Sequence, residues 1–212
     1  NLAIGVNAMG GTWTDDKSEQ NVAIGNSTMD SALNGALYNT TVGYSSLSSI
    51  TSGSNNTALG RQAGWGITTA AGNIAIGNNA MVVHTTGGYN IAIGSSAMDD
   101  TDAGSNSLGS TDNIFIGKNS GGGTWVDAAS SYNVAVGNST MDAAMNGAGY
   151  NVAIGYGSLS ALTEADYNTA VGMNSGNDLN TGSQNTLVGY DAGAQLTTGF
   201  GNVSMGVNSL LT

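Results

Sequence analysis

Short apolar runs of one shape return along the chain: an Asn, an aliphatic residue, a small one, a second aliphatic, then a Gly. The runs from Asn21 to Gly25, Asn73 to Gly77, Asn133 to Gly137 and Asn151 to Gly155 show it most cleanly. Large and small residues alternate with period 2, which predicts a strand. One strand face is large and aliphatic and the other nearly bare, so one side can fill a core while the other lets a second backbone come close. Seven residues after each Asn stands a small residue (Ala8, Thr28, Ala80, Ser158), and at eight a Met, Leu or Gly (Met9, Met29, Leu47, Met98, Met141, Leu159). This second element predicts two strands per repeat, with the Met column (Met9, Met29, Met81, Met98, Met141) as core filler.

Twelve copies begin at Asn1, Asn21, Asn39, Asn56, Asn73, Asn90, Asn113, Asn133, Asn151, Asn168, Asn185 and Asn202, each with Gly four residues on. Spacings of 20, 18, 17, 17 and 17 occur twice, separated by one of 23. Residues 1–100 aligned on 113–212 give 45 identities, so the chain reads as a six-coil block, 1–112, duplicated and continued as 113–212. A lone unit of about 17 residues cannot bury its apolar face, because two short strands are only marginally stable in water. Stacking is required, and coils about 4.8 Å apart predict an all-β parallel solenoid of twelve coils, 17 to 23 residues each. The Asn suits a corner where it hydrogen-bonds its own turn or the Asn above, and the Gly supplies positive φ or close approach. Each coil is thin, which favours three chains sharing one core, intertwined or packed together. The other arrangement is a single solenoid whose Ala and Gly faces pack within the coil. The first residue already occupies the first repeat position, as expected of a segment of a longer chain.

Composition narrows the function. Of 212 residues 34 are Gly, none is Pro or Cys, and only 8% are charged, yet 40% are hydrophobic, which argues against disorder. The absence of Pro fits a hydrogen-bond ladder from coil to coil. Three basic residues, Lys17, Arg61 and Lys118, against fourteen acidic ones give a net charge of −11, so a nucleic-acid partner is excluded. No apolar run approaches the 18 or so residues of a membrane span, so membrane insertion is not expected.

The segments Asn21-Val-Ala-Ile-Gly25, Asn55-Asn-Thr-Ala-Leu-Gly60 and Tyr167-Asn-Thr-Ala-Val-Gly172 resemble the repeats of bacteriophage tail-fibre shafts. They are also similar to the head repeats of trimeric autotransporter adhesins, which use a shorter repeat with Ser after Asn. The resemblance covers essentially the whole chain. It implies a homotrimeric β-roll or β-helix, in a virion tail fibre or at a cell surface, that displays contacts for a host glycan or protein. A tailspike-like polysaccharide depolymerase, or a bacterial adhesin head, is the alternative.

Catalytic residues are not identified, and neither cofactor nor metal is expected. The single histidine, His84, reads as a solvated loop residue. Asp15 and Asp127 occupy equivalent places in the loops Gly10-Gly-Thr-Trp-Thr-Asp15 and Gly122-Gly-Thr-Trp-Val-Asp127, but six coils apart they cannot flank one sugar bond. Trp13 and Trp125 in those loops, with Asp15 and Asp127, are the candidate ligand-binding residues, since an exposed indole suits stacking on a sugar ring. The competing reading has each Trp folded back over an aliphatic stripe. Asp99, Asp100 and Asp102 offer oxygen ligands, but the Gly-Gly-x-Gly-x-Asp pattern of calcium-binding β-rolls is missing, which favours a solvated acidic loop.

Overall fold

The computed structural model describes residues 1–13, 17–101 and 109–211. Each repeat contributes one three-residue strand, from β1 (Leu2–Ile4) and β2 (Val22–Ile24) through β6 (Ile91–Ile93) and β7 (Ile114–Ile116) to β12 (Val203–Met205). The twelve form one parallel sheet in strict sequence order, and no helix occurs among the described residues. The chain is therefore a β-solenoid of about eleven turns. Register holds throughout: each first aliphatic sits beside the first aliphatic of the next coil, for example Ile74 beside Ile91 and Ile91 beside Ile114. The sheet crosses the junction between the two sequence blocks without a slip.

The Asn of each repeat lies at the entry to its strand and stacks on the next. Every Asn from Asn21 to Asn202 donates its backbone N–H to the side-chain Oδ1 of the Asn one coil before, at 2.9–3.1 Å. Its Nδ2 donates to a carbonyl that closes its own coil, as in Asn73 to Gly87 at 3.0 Å and Asn151 to Ala165 at 2.7 Å. From Asn21 to Asn185 these side chains are buried, so the interior keeps a polar column in which each amide meets partners on several sides. Left-handed backbone falls on the residue before the Asn rather than on the Asn, as at Tyr89 (φ 59°) and Tyr150 (φ 60°). At the strand exit the repeat Gly holds φ from 119° to 146°. A Cβ on Gly77 would lie 2.3 Å from the Gly94 carbonyl oxygen, so both demands expected of this position are real.

Three expectations are corrected. The second segment of each coil is not a strand. Its sixth and eighth residues after the Asn are left-handed, as at Ser27 (φ 52°) and Met29 (φ 49°), and alternating handedness turns successive amides up and down the axis. Coil-to-coil bonding continues there without extended backbone: Ser27 N–H reaches Val6 O at 2.8 Å and Met29 N–H reaches Ser46 O at 3.1 Å.

The aliphatic face, secondly, does not fill the interior. The middle strand residue, usually Ala, points inward and is buried in β2 to β11, whereas the flanking aliphatics point outward and are half-buried or exposed. The interior is narrow and already holds the Asn column, the Met and Leu column (Met29, Leu47, Met81, Met98, Met141, Leu159) and a further column including Leu33, Ile50, Ile67 and Leu162. Only a small side chain fits beside them, which is why the Met residues are core as expected and the aliphatics are not. Phe115 is the informative exception. It stands where other strands carry Ala, and Gly121 replaces the Met that would meet it, since a Cβ on Gly121 would lie 2.6 Å from the Phe115 ring. Leu187 and Gly193 repeat this exchange. Each chain thus fills its own coils as a β-solenoid.

His84, thirdly, is not solvated. It is fully buried, eleven residues after Asn73, in the column that Ile50, Ile67 and Leu162 fill elsewhere. Its Nδ1 lies 2.7 Å from Thr101 Oγ1 and its Nε2 2.7 Å from the Gly87 carbonyl oxygen. Asn90 Nδ2 also stands 3.2 Å from Nε2, so both ring nitrogens have hydrogen-bond partners in the interior.

Candidate functional site

The two tryptophan loops do not form equivalent surfaces. Trp125 is completely buried and meets the edge of Phe115, ring centres 5.7 Å apart. Its backbone N–H donates to Asp100 O at 2.9 Å, while its indole N–H has no hydrogen-bond partner among the described residues. Trp125 stands twelve residues after its Asn, as Leu33 and Met145 do, and that position is the one signal in the sequence for its burial. Trp13 occupies the same repeat position but is 44% exposed. Asp127 is exposed with φ 57°, and Asp15 lies outside the described residues. Of the four candidate ligand residues, Trp13 and Asp127 are available at the surface, and Trp125 is core.

Beside Trp125 the turns gather carboxylates. Asp99 and Asp142 each stand nine residues after their Asn, two coils apart, with Gly122 between them at the same position. Burial raises both carboxyls above the ordinary aspartate value of 3.8. A Ser96 hydrogen bond opposes this at Asp99, a Ser139 hydrogen bond opposes it at Asp142, and each carboxylate is further raised by a neighbouring one. Among the described residues Asp99 Oδ1 is buried without a hydrogen-bond partner, whereas Asp100 Oδ2 accepts from Thr124 Oγ1 at 2.8 Å. Asp102, the third member of the acidic run, lies outside the described residues. No group of three or more His, Asp or Glu able to hold a metal occurs among the described residues.

The widest chemically distinct surface is the outer face of the sheet, which the sequence did not mark as exposed. Each coil presents four outward residues there: the one before the Asn, and the first, third and fifth after it. The middle two ranks are aliphatic or Thr throughout, apart from Met205. The flanking ranks carry exposed aromatics, with Tyr38, Tyr89, Tyr132, Tyr150 and Tyr167 on one edge and Tyr44, Tyr156 and Tyr190 on the other. Tyr132, Tyr150 and Tyr167 stack as one ladder, ring centres 4.9 and 5.1 Å apart and nearly parallel. Each of these tyrosines is left-handed, a conformation that costs a bulky residue about 1–2 kcal/mol. Stacking offsets part of that cost.

No helix among the described residues is long and apolar enough to cross a membrane. No family model matches the chain, and neither a curated protein nor a solved structure matches it.

Proposed function

We propose that the chain is a structural and adhesive rod: a segment of a homotrimeric fibre, in a phage tail or another extracellular filament, that presents contacts to a host-surface glycan or protein. The observation that carries this reading is the outer face of the single parallel sheet, in register from coil to coil. It runs the length of about eleven coil steps, about 50 Å at the usual strand spacing, and is almost uncharged in a molecule of net charge −11. A strip about 20 Å wide, roughly six residues at about 3.3 Å each, offers on the order of 1,000 Å² per chain, against roughly 800 Å² per partner for a stable interface. Three complete solenoids, sheets facing a common axis, cover that strip and leave the turns in water. Trp13 and Asp127 are then the exposed loop residues to test for receptor contact.

Sedimentation equilibrium at micromolar concentration tests the assembly, with a trimer expected; a folded monomer would remove it. The alternative of polysaccharide cleavage rests on the electrostatically linked carboxylates Asp99 and Asp142, since a glycosidase works with two carboxyls across one bond. New reducing ends released from a host polysaccharide, and lost in Asp99→Asn, would favour that reading over the adhesive one.

A further inference from the structure

The turns of the tenth and eleventh coils enclose a recess of about 280 Å³, lined by Asn174, Asn177, Asp178, Asp191, Ala194 and Gln195. These residues stand six, nine and ten places after Asn168 and Asn185, in the turn that leaves each strand and away from the outer sheet face. The duplicated first block is an internal template for the same place. There Gln62, Trp65, Gly66, Asn79, Val82 and Val83 occupy the six positions, so every one of them differs between the blocks. Trp65 and Val82 are bulky where Asn177 and Ala194 are small, and the first block has no charge where the second has two carboxylates. The coil therefore does not need Asp178 or Asp191 in order to form.

The polar groups are turned in one sense. Asn174 Nδ2 donates to Asp191 Oδ1 at 3.0 Å, and Asn177 Nδ2 donates to Ser160 Oγ at 2.8 Å and to the Gly157 carbonyl oxygen at 3.2 Å. The amide donors are spent on the protein, which leaves a lining rich in acceptors, with Asp178 exposed and Asp191 half-buried. The three basic residues, Lys17, Arg61 and Lys118, belong to the first, fourth and seventh coils, so none balances the two carboxylates. A complementary ligand brings donors and positive charge. The volume is close to the lower end of small-molecule sites and suits a ring or short chain, whereas a bare divalent ion needs six to eight oxygens within about 2.6 Å. We infer that this recess binds a primary ammonium group carried on a small polar skeleton. The ammonium donates to Asp178 and Asp191 in charge-assisted hydrogen bonds, and Ala194 offers the skeleton an apolar wall. An amino sugar and a polyamine both present this chemistry. The recess opens to water whether the sheet face is paired or bare, so the site goes beyond the proposed fibre and does not depend on it.

Calorimetric titration of the full chain at low salt tests the site with three probes: a short oligomer of glucosamine, the same oligomer fully N-acetylated, and spermidine. Binding of the glucosamine oligomer, of spermidine or of both is expected, and which of them binds tells a ring source from a chain source. The N-acetylated oligomer keeps the ring, lacks the charge and is expected not to bind. Asp178→Asn with Asp191→Asn should weaken binding by about tenfold or more, while Asp112→Asn with Glu164→Gln, which removes two charges elsewhere on the surface, should leave it unchanged. Asn177→Trp with Ala194→Val restores the side chains of the first block, and is expected to keep the circular dichroism spectrum and lose binding. No binding of either amine at millimolar concentration would overturn the inference. So would equal binding of the N-acetylated oligomer, equal loss in the distant pair, or displacement of the amine by equimolar calcium. Should the filled variant fail to fold, the Asp178→Asn and Asp191→Asn pair decides alone: parent-like affinity there sinks the site, even if the rod still sediments as a trimer.

Discussion

At the scale of single residues, the fold rests on side chains whose replacement meets backbone rather than side chain. Gly77 combines φ 138° with a carbonyl 2.3 Å from where a Cβ would stand, and no rotamer change relieves a clash with main chain. Gly77→Val is expected to destabilise by well over 1 kcal/mol, read from thermal melting; a variant as heat-resistant as the parent would show that the coils can part locally at no cost. Asp99 gives a prediction of opposite sign. Because burial raises the Asp99 and Asp142 carboxyls, the folded chain holds those protons more tightly than the unfolded chain does. Their contribution to stability is complete below the ordinary aspartate value of 3.8 and is lost as pH rises through the folded values. Above those values the ionised carboxylates cost stability, and among the described residues Asp99 Oδ1 has no hydrogen-bond partner to offset its burial. Asp99→Asn should therefore raise the melting temperature at pH 7, with the advantage shrinking as the buffer is taken below pH 4. If the variant melts below the parent at pH 7, the ionised carboxylate is making a favourable contact.

At the scale of the coil, packing is in most repeats a volume exchange between the middle strand residue and the residue six positions later; where both are small, as in Ala58 with Gly64 and Ala170 with Gly176, leucines of the neighbouring coils (Leu47, Leu159, Leu187) fill the space. Ala23 pairs with Met29, Phe115 with Gly121, Leu187 with Gly193. Phe115→Ala alone should cost about 3–5 kcal/mol through the cavity it leaves, and Phe115→Ala with Gly121→Met should regain a large part, because it rebuilds the second coil's solution in the seventh. Denaturant melts of the two variants compare them directly; a double variant no better than the single would mean that Trp125, at the Phe115 edge, cannot repack. The same coil shows what could be read from sequence. Period, coil number, Asn stacking and Gly close approach were legible because twelve repetitions of one hydrogen-bond pattern leave those residues no freedom. The facing of the strand was not. Ile74 and Ile76 look like core, and only the width of a coil already holding Asn73 and Met81 decides that Ala75 goes inside. The turn segment escaped because Met and Leu rarely accept left-handed backbone, so Met29 and Leu47 at φ 49° and 47° read as strand. His84 and Trp125 were misplaced for want of a column count, since each stands where another coil has Ile50 or Leu33. That misplacement is why the paired-tryptophan site dissolved into one exposed indole and one core residue.

At the scale of the whole molecule, the outward aliphatics make assembly and folding separable. Ile76 is half-buried on the outer face, so Ile76→Asp should leave the monomer folded while dispersing the proposed oligomer, seen as a fall in sedimentation coefficient with an unchanged circular dichroism spectrum. Loss of both together would place Ile76 in the interior after all. Fluorescence gives a further check on the surface: acrylamide should quench Trp13 and Trp65 but not Trp125, so the Trp125-only variant should emit to the blue of the parent. The up-and-down amide bonding of each coil to its two neighbours also has a mechanical consequence. Among the described residues those bonds join each coil only to its neighbours, so a pull on the two ends loads the contacts in series and the weakest one yields first. Each released coil of 17 residues pays out about 60 Å of slack chain, which relaxes the load before the next coil is stressed. Stretched between a bead and a surface, a single chain should lengthen in coil-sized steps rather than rupture at once, giving the rod the behaviour of a ratcheted shock absorber.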